Sequence, residues 1–236
     1  MPNNYFKFKQ FTIQQENCAM KVGTDGVLLG AWIDVGDART ILDIGTGTGL
    51  IALMLAQRSI AKIDAIDIDP DATKQAFDNF KNSPWHDRLN VVFESFQTYS
   101  QNDIKYDLLI TNPPYFSDSL KASDEKRSFA RHDHMLNRID LLDGSIRLMN
   151  SDGRLGIILP IDEYTLFSSQ ISKWNLFEIR KTFVIPKPGK RATRVIAELS
   201  FTKHPVEIGE LIIEKYGRHA YSEEYIDLTR EYYLNF

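Results

Sequence analysis

The chain has 236 residues, of which 43% are hydrophobic and 25% are charged, a length and composition that suit one sizeable core. Its net charge of −4 excludes nucleic-acid binding by overall attraction, so any such binding must depend on a local basic patch. The single cysteine, Cys18, excludes an internal disulfide and a cysteine-based zinc cage. The first ten residues lack the apolar segment of a signal peptide, and the longest apolar run, residues 50–56, is too short to cross a bilayer. We therefore expect a soluble cytoplasmic protein with no membrane partner.

The N-terminal segment predicts a short strand and then a short helix. Residues 7–13 alternate between polar and apolar side chains, which is typical of a half-buried strand or a hairpin arm. Thr24 and Asp25 precede the apolar residues 27–32, and either side chain can cap a helix there. The residues themselves leave Lys21 and Asp25 equally open to a role in the turn and to a role in ligand binding.

A glycine-rich loop, Gly45-Thr46-Gly47-Thr48-Gly49, joins a buried strand at residues 40–44 to an apolar helix at residues 50–56. The backbone N–H groups of such a loop can approach a ligand closely. Leu50 stands where a dinucleotide-binding G-x-G-x-x-G motif has its third glycine, and Asp43 would repel a pyrophosphate but suits a cationic amino-acid group. The pattern resembles motif I of S-adenosylmethionine binders. It assigns these residues to the cofactor site: Asp43, Gly45, Thr46, Gly47 and Gly49.

Two further strands, at residues 62–66 and 89–93, each end in residues suited to a nucleoside. Asp67 directly ends the first of them, where a carboxylate can accept hydrogen bonds from both ribose hydroxyls, and Ile68 is assigned to the site with it. Asp69 is better suited to cap a helix that begins at residue 70 or 71, and capping by both acids is the alternative. Ser95 and Phe96 follow the other strand, where we expect contacts with adenine. Phe96 is equally open to a place in the core.

The string Asn112-Pro113-Pro114-Tyr115 follows a fourth apolar strand at residues 106–110. The two prolines stiffen the chain and can hold the Asn112 side-chain carbonyl and the Pro113 backbone carbonyl as two fixed acceptors for a planar –NH2 group. Tyr115 offers an aromatic face on which a base can stack. The string resembles motif IV of the amino-methyltransferases, and the alternative is a strand-ending turn with a packing tyrosine. We assign all four residues to catalysis and Asn112 also to the cofactor site.

The order of these elements predicts the fold class. Strand and helix alternate four times, which indicates a parallel, doubly wound sheet whose ligands bind at the carboxyl ends of the strands. A fifth strand is expected at residues 154–159, an antiparallel pair at 177–185 and 195–201 ends the sheet, and a terminal helix covers 223–234. We predict an α/β fold with a single Rossmann-like class I methyltransferase domain over residues 1–236, whose mostly parallel seven-stranded sheet has an antiparallel C-terminal strand. Residues 1–38 form an N-terminal cofactor-pocket extension, 39–160 the cofactor-binding core, and 161–236 the C-terminal strands, basic loop and terminal helix.

The C-terminal third contains a basic stretch, since no acid occurs between residues 179 and 197. We predict that it contacts an RNA phosphate backbone through Lys187, Lys190, Arg191 and Arg194, and the alternative is an ordinary solvated turn. His132 and His134 have no third ligand at a suitable spacing, so we expect no metal.

With these motifs assembled, the chain resembles the tRNA1(Val) (adenine(37)-N6)-methyltransferase family over nearly its whole length. The segments that carry the resemblance are residues 21–26, 43–49, 67–69, 112–116 and 130–132. The resemblance implies S-adenosylmethionine as cofactor, tRNA as partner, and N6-methylation of the adenosine just 3′ of the anticodon by direct methyl transfer. It also implies that Lys21, Thr24 and Asp25 line the cofactor pocket and that Arg131 binds RNA. A monomer is favoured.

Other functions share parts of this pattern. Glutamine N5-methyltransferases of release factors resemble the chain through Asn-Pro-Pro-Tyr, because a side-chain amide also offers an –NH2 group, but they usually carry a helical N-terminal domain. A guanine N2-methyltransferase of rRNA is a second alternative, in which Phe would be more typical at the position of Tyr115. A catalytically silent module that binds S-adenosylmethionine or RNA is a third.

Overall fold

The computed structural model describes residues 3–16, 18, 20–114 and 136–236, which form a central sheet with helices on both faces. The strands are β1 (Tyr5–Lys7), β2 (Thr12–Gln14), β3 (Thr40–Ile44), β4 (Lys62–Asp67), β5 (Leu89–Phe93), β6 (Tyr106–Thr111), β7 (Met149–Pro160), β8 (Phe177–Ile185), β9 (Arg194–Ser200), β10 (Glu207–Ile212), β11 (Glu214–Gly217) and β12 (Ala220–Tyr221). The helices are α1 (Thr24–Trp32), α2 (Leu50–Arg58), α3 (Pro70–Lys81), α4 (Phe96–Tyr99), α5 (Arg138–Leu148), α6 (Ile161–Ser168), a 3-10 helix (Ile171–Trp174) and α7 (Glu223–Thr229).

The central sheet has the strand order β10-β8-β9-β7-β6-β3-β4-β5. Every pair from β5 to β7 is parallel, β9 runs antiparallel to both β7 and β8, and β10 pairs in parallel with β8. The predicted Rossmann-like fold with a mostly parallel sheet and an antiparallel strand near its C-terminal end is confirmed. The carboxyl ends of β3, β4, β5 and β6 therefore lie along one edge, which is the edge that binds ligands in such sheets.

The sheet differs from the prediction in its number of strands. The described residues give eight strands instead of seven, because Glu207–Ile212 adds to the outer side of β8 in parallel. The antiparallel pair β8–β9 is therefore present but does not end the sheet. β10 is an edge strand in which Glu207, Ile208 and Glu210 are exposed and only Leu211 is buried. Its sequence therefore shows neither a continuous apolar run nor a regular alternation of polar and apolar residues.

Each face of the sheet is covered by its own hydrophobic core. Along β3, Ile41 belongs to the core on the α1–α2 side, whereas Leu42 and Ile44 belong to the core on the α4–α5–α6 side. Central parallel strands bury both faces in this way, which explains why β3 and β6 are continuous apolar runs in the sequence.

Three helix ends can be compared with the sequence prediction. The capping role of Asp69 is confirmed, because its side chain accepts hydrogen bonds from the backbone N–H groups of Asp71 (2.9 Å) and Ala72 (3.4 Å) at the start of α3. The predicted cap of α1 is wrong: Gly23 is the N-cap residue and no side chain caps it. The terminal helix ends at Thr229 instead of residue 234, and the chain continues as a turn in which Tyr232 is buried.

The N-terminal and C-terminal segments meet on the α1–α2 side of the sheet. The β1–β2 hairpin contributes Phe8 and Ile13 to that core, and Lys9 Nζ donates a hydrogen bond to the Phe236 carbonyl at 2.8 Å. The Tyr232 hydroxyl donates to the Met54 carbonyl of α2 at 3.1 Å. The two segments thus form a common outer layer over α2.

Within the described ranges, no helix combines the length and hydropathy that a membrane crossing requires. The same ranges contain no group of three His, Cys, Asp or Glu side chains arranged to hold a metal ion, and His132 and His134 lie outside them.

Candidate active site

A cavity of about 320 Å³ opens at the carboxyl edge of β3, β4, β5 and β6. Its lining comes from the ends of these strands and the segments that follow them, together with Cys18, Met20 and Leu136. The predicted site residues that line it are Gly45, Gly47, Asp67, Ile68, Ser95, Phe96, Asn112, Pro113 and Pro114. Four separately identified motifs thus contribute to the same cavity.

The glycine loop after β3 leaves open space on the cavity side. Gly45 and Gly47 have φ angles of 70° and 57°, and a Cβ atom built on either residue would have no atom within 4 Å. Both residues line the cavity, so a side chain there would occupy space that a ligand can use. Gly49 has a different role, because a Cβ atom on it would lie 2.5 Å from Phe80 Cε1. It allows the loop to pack on α3 and does not line the cavity.

Asp43 lies directly beneath the loop and is fully buried. Its Oδ2 atom accepts hydrogen bonds from Thr46 Oγ1 (2.6 Å) and from the Ala52 backbone N–H (3.2 Å), whereas its Oδ1 atom has no partner among the described residues. Burial raises the pKa of the Asp43 carboxyl to about 7. A buried carboxylate oxygen without a donor is costly, which favours the protonated form of the carboxyl. Neither Asp43 nor Thr46 lines the cavity itself.

Asp67 ends β4 and faces the cavity. Its Oδ2 atom accepts from the Gly47 N–H at 2.8 Å and its Oδ1 atom accepts from the Asp69 N–H at 2.9 Å, so two backbone groups fix the orientation of the carboxyl. Burial raises the pKa of Asp67. Each carboxylate oxygen can accept a further hydrogen bond, which a pair of ligand hydroxyls can supply.

The residues after β5 divide into one that caps a helix and others that face the cavity. Ser95 Oγ caps α4, accepting from the Thr98 N–H at 3.2 Å and bonding Thr98 Oγ1 at 2.9 Å, so this hydroxyl is already engaged. Phe96 is 5% exposed, lines the cavity and packs against α5, where a Cβ atom on Gly144 would lie 2.4 Å from its ring. Phe96 therefore serves both as core and as cavity wall.

Glu94 and Gln97 also line the cavity beside Ser95 and Phe96, and the sequence prediction missed both. Gln97 donates to Asp140 Oδ2 at 3.0 Å, which ties α4 to the start of α5. The signal that could have found Glu94 is its position directly after the predicted apolar strand at residues 89–93, since Asp67 directly follows the predicted strand at residues 62–66.

Asn112 follows β6 and lies beside the glycine loop. Thr111 is the register partner of Ile44, and its hydroxyl donates to the Ile44 carbonyl at 2.9 Å, so the next residues of the two strands, Asn112 and Gly45, begin at the same level. The Asn112 side chain also reaches α1, since a Cβ atom built on Gly26 would lie 4.0 Å from Asn112 Nδ2. Tyr115 lies outside the described residues.

Three residues expected at the cofactor pocket lie away from this cavity. Lys21 is exposed and donates to the Asn3 carbonyl at 3.4 Å. Asp25 forms an ion pair with Arg194 at 2.8 Å, and Thr24 and Asp25 line a second cavity. Cys18 and Met20 line the first cavity in their place, and burial raises the pKa of the Cys18 thiol to about 11.

The basic stretch forms the loop between β8 and β9. Arg194 is the register partner of Pro160 at the carboxyl end of β7, so the loop lies at the same edge of the sheet as the cavity. Lys187 pairs with Glu214 at 3.1 Å. Lys190 and Arg191 are exposed and form no ion pair with any described residue. Arg131 lies outside the described residues.

Comparison with known proteins places the chain in a family. Residues 18–157 match the family described as "Methyltransferase small domain". The tRNA1(Val) (adenine(37)-N6)-methyltransferase of Phocaeicola vulgatus is 48% identical over 235 residues, covering 100% of both chains, and that of Bacteroides fragilis is 47% identical over 236 residues, covering 99% of both. The crystal structure of a predicted O-methyltransferase from Agrobacterium tumefaciens matches with a TM-score of 0.66 at 19% identity, covering 88% of this chain and 96% of that one, which supports the fold. The chain is therefore a methyltransferase and belongs to the tRNA1(Val) (adenine(37)-N6)-methyltransferase family.

Proposed function

We propose that this chain transfers a methyl group from S-adenosylmethionine to N6 of adenine 37 in tRNA1(Val), the substrate given in the names of its relatives. The observation that carries the proposal is the position of Asn112 and Pro113, which follow β6 beside the glycine loop and line the same cavity as Asp67. An acceptor pair for an amino group and a cradle for a nucleoside cofactor thus share one cavity.

The residues of the cavity fit S-adenosylmethionine. The open space at Gly45 and Gly47 accepts the close approach of a ligand. Asp43 lies beneath the loop and does not line the cavity, so it would favour the cationic amino-acid part through its charge and not through a contact. Asp67 would hold the ribose hydroxyls, and Glu94 and Phe96 would contact the adenine. The cofactor, when bound, supplies an electrophilic methyl group on its sulfonium.

Asn112 and Pro113 would prepare the nitrogen that is methylated. The N6 lone pair of adenine is delocalised into the ring, which makes this nitrogen a poor nucleophile. If the Asn112 side-chain carbonyl and the Pro113 backbone carbonyl accept its two hydrogens, the nitrogen can pyramidalise and direct its lone pair out of the ring plane. Formation of the N–C bond would break the S–C bond of the sulfonium and leave a neutral thioether. The methylated nitrogen would then be acidic, lose a proton to water and need no dedicated base. The protein's part is then positioning and electrostatic stabilisation.

The RNA would approach along the same edge of the sheet. The target adenosine has to leave its stack, and stacking on Tyr115 would replace part of the lost energy. Lys190 and Arg191 are exposed at that edge and would contact phosphates, together with Arg131.

The substrate can be tested directly by incubating the chain with labelled S-adenosylmethionine and, separately, tRNA1(Val), the same tRNA with guanosine in place of adenosine 37, rRNA and a release factor. We expect label only in the tRNA that has adenosine 37, with N6-methyladenosine as the product after nuclease digestion and mass spectrometry. Label in the release factor, in rRNA or in the guanosine-37 tRNA would reject the proposal and favour one of the other amino-methyltransferase activities.

Asn112→Ala should reduce turnover by at least about tenfold while the dissociation constant for S-adenosylmethionine stays near that of wild type, because the lost carbonyl acts on the nucleophile. Single-turnover kinetics and calorimetry measure the two quantities. Asn102→Ala is the matched control, since Asn102 is exposed in the turn before β6. Weaker cofactor binding at unchanged turnover would contradict the role of Asn112.

Asp67→Ala should weaken the binding of S-adenosylmethionine and leave turnover at saturating cofactor near that of wild type. Loss of the hydrogen bonds to a charged acceptor is expected to weaken S-adenosylmethionine binding by about 10- to 100-fold. Asp71→Ala, an exposed acid in the first turn of α3, is the control. Thermal melting of both variants should show whether the fold is retained, and an unchanged calorimetric titration for Asp67→Ala would remove this residue from the site.

The free energy of unfolding of the ligand-free chain should decrease as the pH rises from about 4 to about 7. The reason is the raised pKa of Asp43, because the folded chain binds more protons than the unfolded chain in this window. The shift from 3.8 to about 7 corresponds to at most roughly 4 kcal/mol. Asp43→Asn should lack this contribution, and Asp103→Asn, at an exposed site, should keep it. Chemical denaturation across this pH range measures the difference, and identical pH dependence in wild type and Asp43→Asn would refute it.

A further inference from the structure

A second cavity, of about 950 Å³, lies between the first turn of α1 and the C-terminal segment. Its walls include Thr24 and Asp25 from α1, Thr193 and Arg194 at the start of β9, and aromatic side chains of the C-terminal segment. Neither the cofactor nor the target base, as assigned above, accounts for this space.

The second cavity is adjacent to the place where the methyl group would be transferred. Thr24 and Asp25 line it, and the next residue, Gly26, approaches Asn112 of the first cavity. The first turn of α1 is therefore close to both cavities. The β8–β9 loop connects to the same space, because Val184, Thr193 and Arg194 at its two ends are lining residues.

The aromatic wall can serve as a stacking surface. Tyr221 stacks on Tyr225 with ring centroids 4.9 Å apart and an interplanar angle of 22°, and Phe236 meets Tyr221 edge to face at 5.2 Å. Tyr225 is buried and supports the wall from behind, whereas Tyr221 and Phe236 remain half-buried beside the cavity. Aromatic rings with a free part of their surface bind unpaired nucleobases without sequence preference.

The charged side chains around the second cavity are compatible with the binding of an anion. Both acids among its lining residues are paired with cations, Asp25 with Arg194 at 2.8 Å and Glu214 with Lys187 at 3.1 Å. Lys7 is exposed at the rim, and Lys190 and Arg191 extend from the adjoining loop. A phosphate backbone that follows this loop thus meets a cationic border, and the neighbouring base meets the aromatic wall.

We propose that the second cavity binds a nucleotide of the RNA substrate next to the target adenosine, with its base unstacked from the RNA and placed against Tyr221 and Phe236. The inference rests on the proposed function, and it assigns to this chain a base-binding site separate from the one in which the amino group reacts. The target base and its neighbour would then occupy two cavities that are both close to the first turn of α1.

The test combines a cavity-filling variant with RNAs that lack one base. Thr193→Trp places a large side chain at an exposed lining position whose hydroxyl has no hydrogen bond to any described residue, and its backbone N–H stays bonded to the Val184 carbonyl. Thr202→Trp is the matched control, an exposed threonine beyond the other end of β9. The substrates are the anticodon stem-loop of tRNA1(Val) and two versions with an abasic residue 5′ or 3′ of the target adenosine.

Removal of the base from one of the two neighbours should raise the dissociation constant of wild type for the stem-loop by about tenfold or more. Thr193→Trp should show a similar loss with the intact stem-loop and no further loss with that abasic version, because both changes remove the same contact. Thr202→Trp should behave as wild type, and all three proteins should bind S-adenosylmethionine equally.

The inference would be overturned if Thr193→Trp bound the intact stem-loop as tightly as wild type, or if the losses of affinity from the variant and from the abasic residue multiplied. Methylation of the intact tRNA by wild type would still leave the proposed function standing in either case. A change of oligomeric state in Thr193→Trp by light scattering, with unchanged RNA binding, would identify the cavity as a contact between copies and would also overturn it. Absence of methylation of any RNA by wild type would reject the proposed function and the inference together.

Discussion

The site depends on the pairing of β6 with β3. Ile110 lies opposite Asp43 and Thr111 opposite Ile44, and the buried Thr111 hydroxyl donates to the Ile44 carbonyl at 2.9 Å. This register brings the end of the Asn-Pro-Pro segment level with the start of the glycine loop. A shift of one residue would turn each side chain of β6 to the opposite face of the sheet, so Leu108 and Ile110 would exchange cores with Leu109 and both cores would have to repack. The packing of both faces therefore fixes where Asn112 lies relative to Gly45.

The first turn of α1 connects the site to the rest of the chain. Gly26 is next to both Leu50 of α2 and Asn112, since a Cβ atom there would lie 3.1 Å from Leu50 Cδ2 and 4.0 Å from Asn112 Nδ2. Asp25, one residue earlier, holds Arg194 of β9. This short helix has no side-chain cap and is held by tertiary contacts. The start of α2, Asn112 and Arg194 at the end of the basic loop all meet its first turn.

The sequence predicted those parts of the site that local chemistry determines. The glycine loop, Asp67 and Asn112 could be located because each follows a buried apolar run, and Asp69 could be assigned as a cap from the proline after it. The remaining differences come from contacts that are distant in the chain. Asp25 does not cap α1 because it pairs with Arg194, 169 residues away, and β10 joins the sheet at an edge where burial leaves little pattern in the sequence. Ser95 is predicted to contact adenine from its place after a strand, whereas its hydroxyl is engaged as the cap of α4.

The net charge of −4 is compatible with an RNA substrate because the charges are unevenly distributed along the ligand-binding edge. The half formed by β3, β4 and β5 carries acids, namely Asp43, Asp67, Asp69 and Glu94. The half near the β8–β9 loop carries four cations. Lys187 and Arg194 are paired with Glu214 and Asp25, and Lys190 and Arg191 are exposed and form no ion pair with any described residue. Coulomb interactions over such distances are partly screened by salt, so a ligand responds mainly to the half that it touches. A cationic cofactor is thereby favoured at one half of the edge and a polyanion at the other, and Asn112 lies between them at the end of β6.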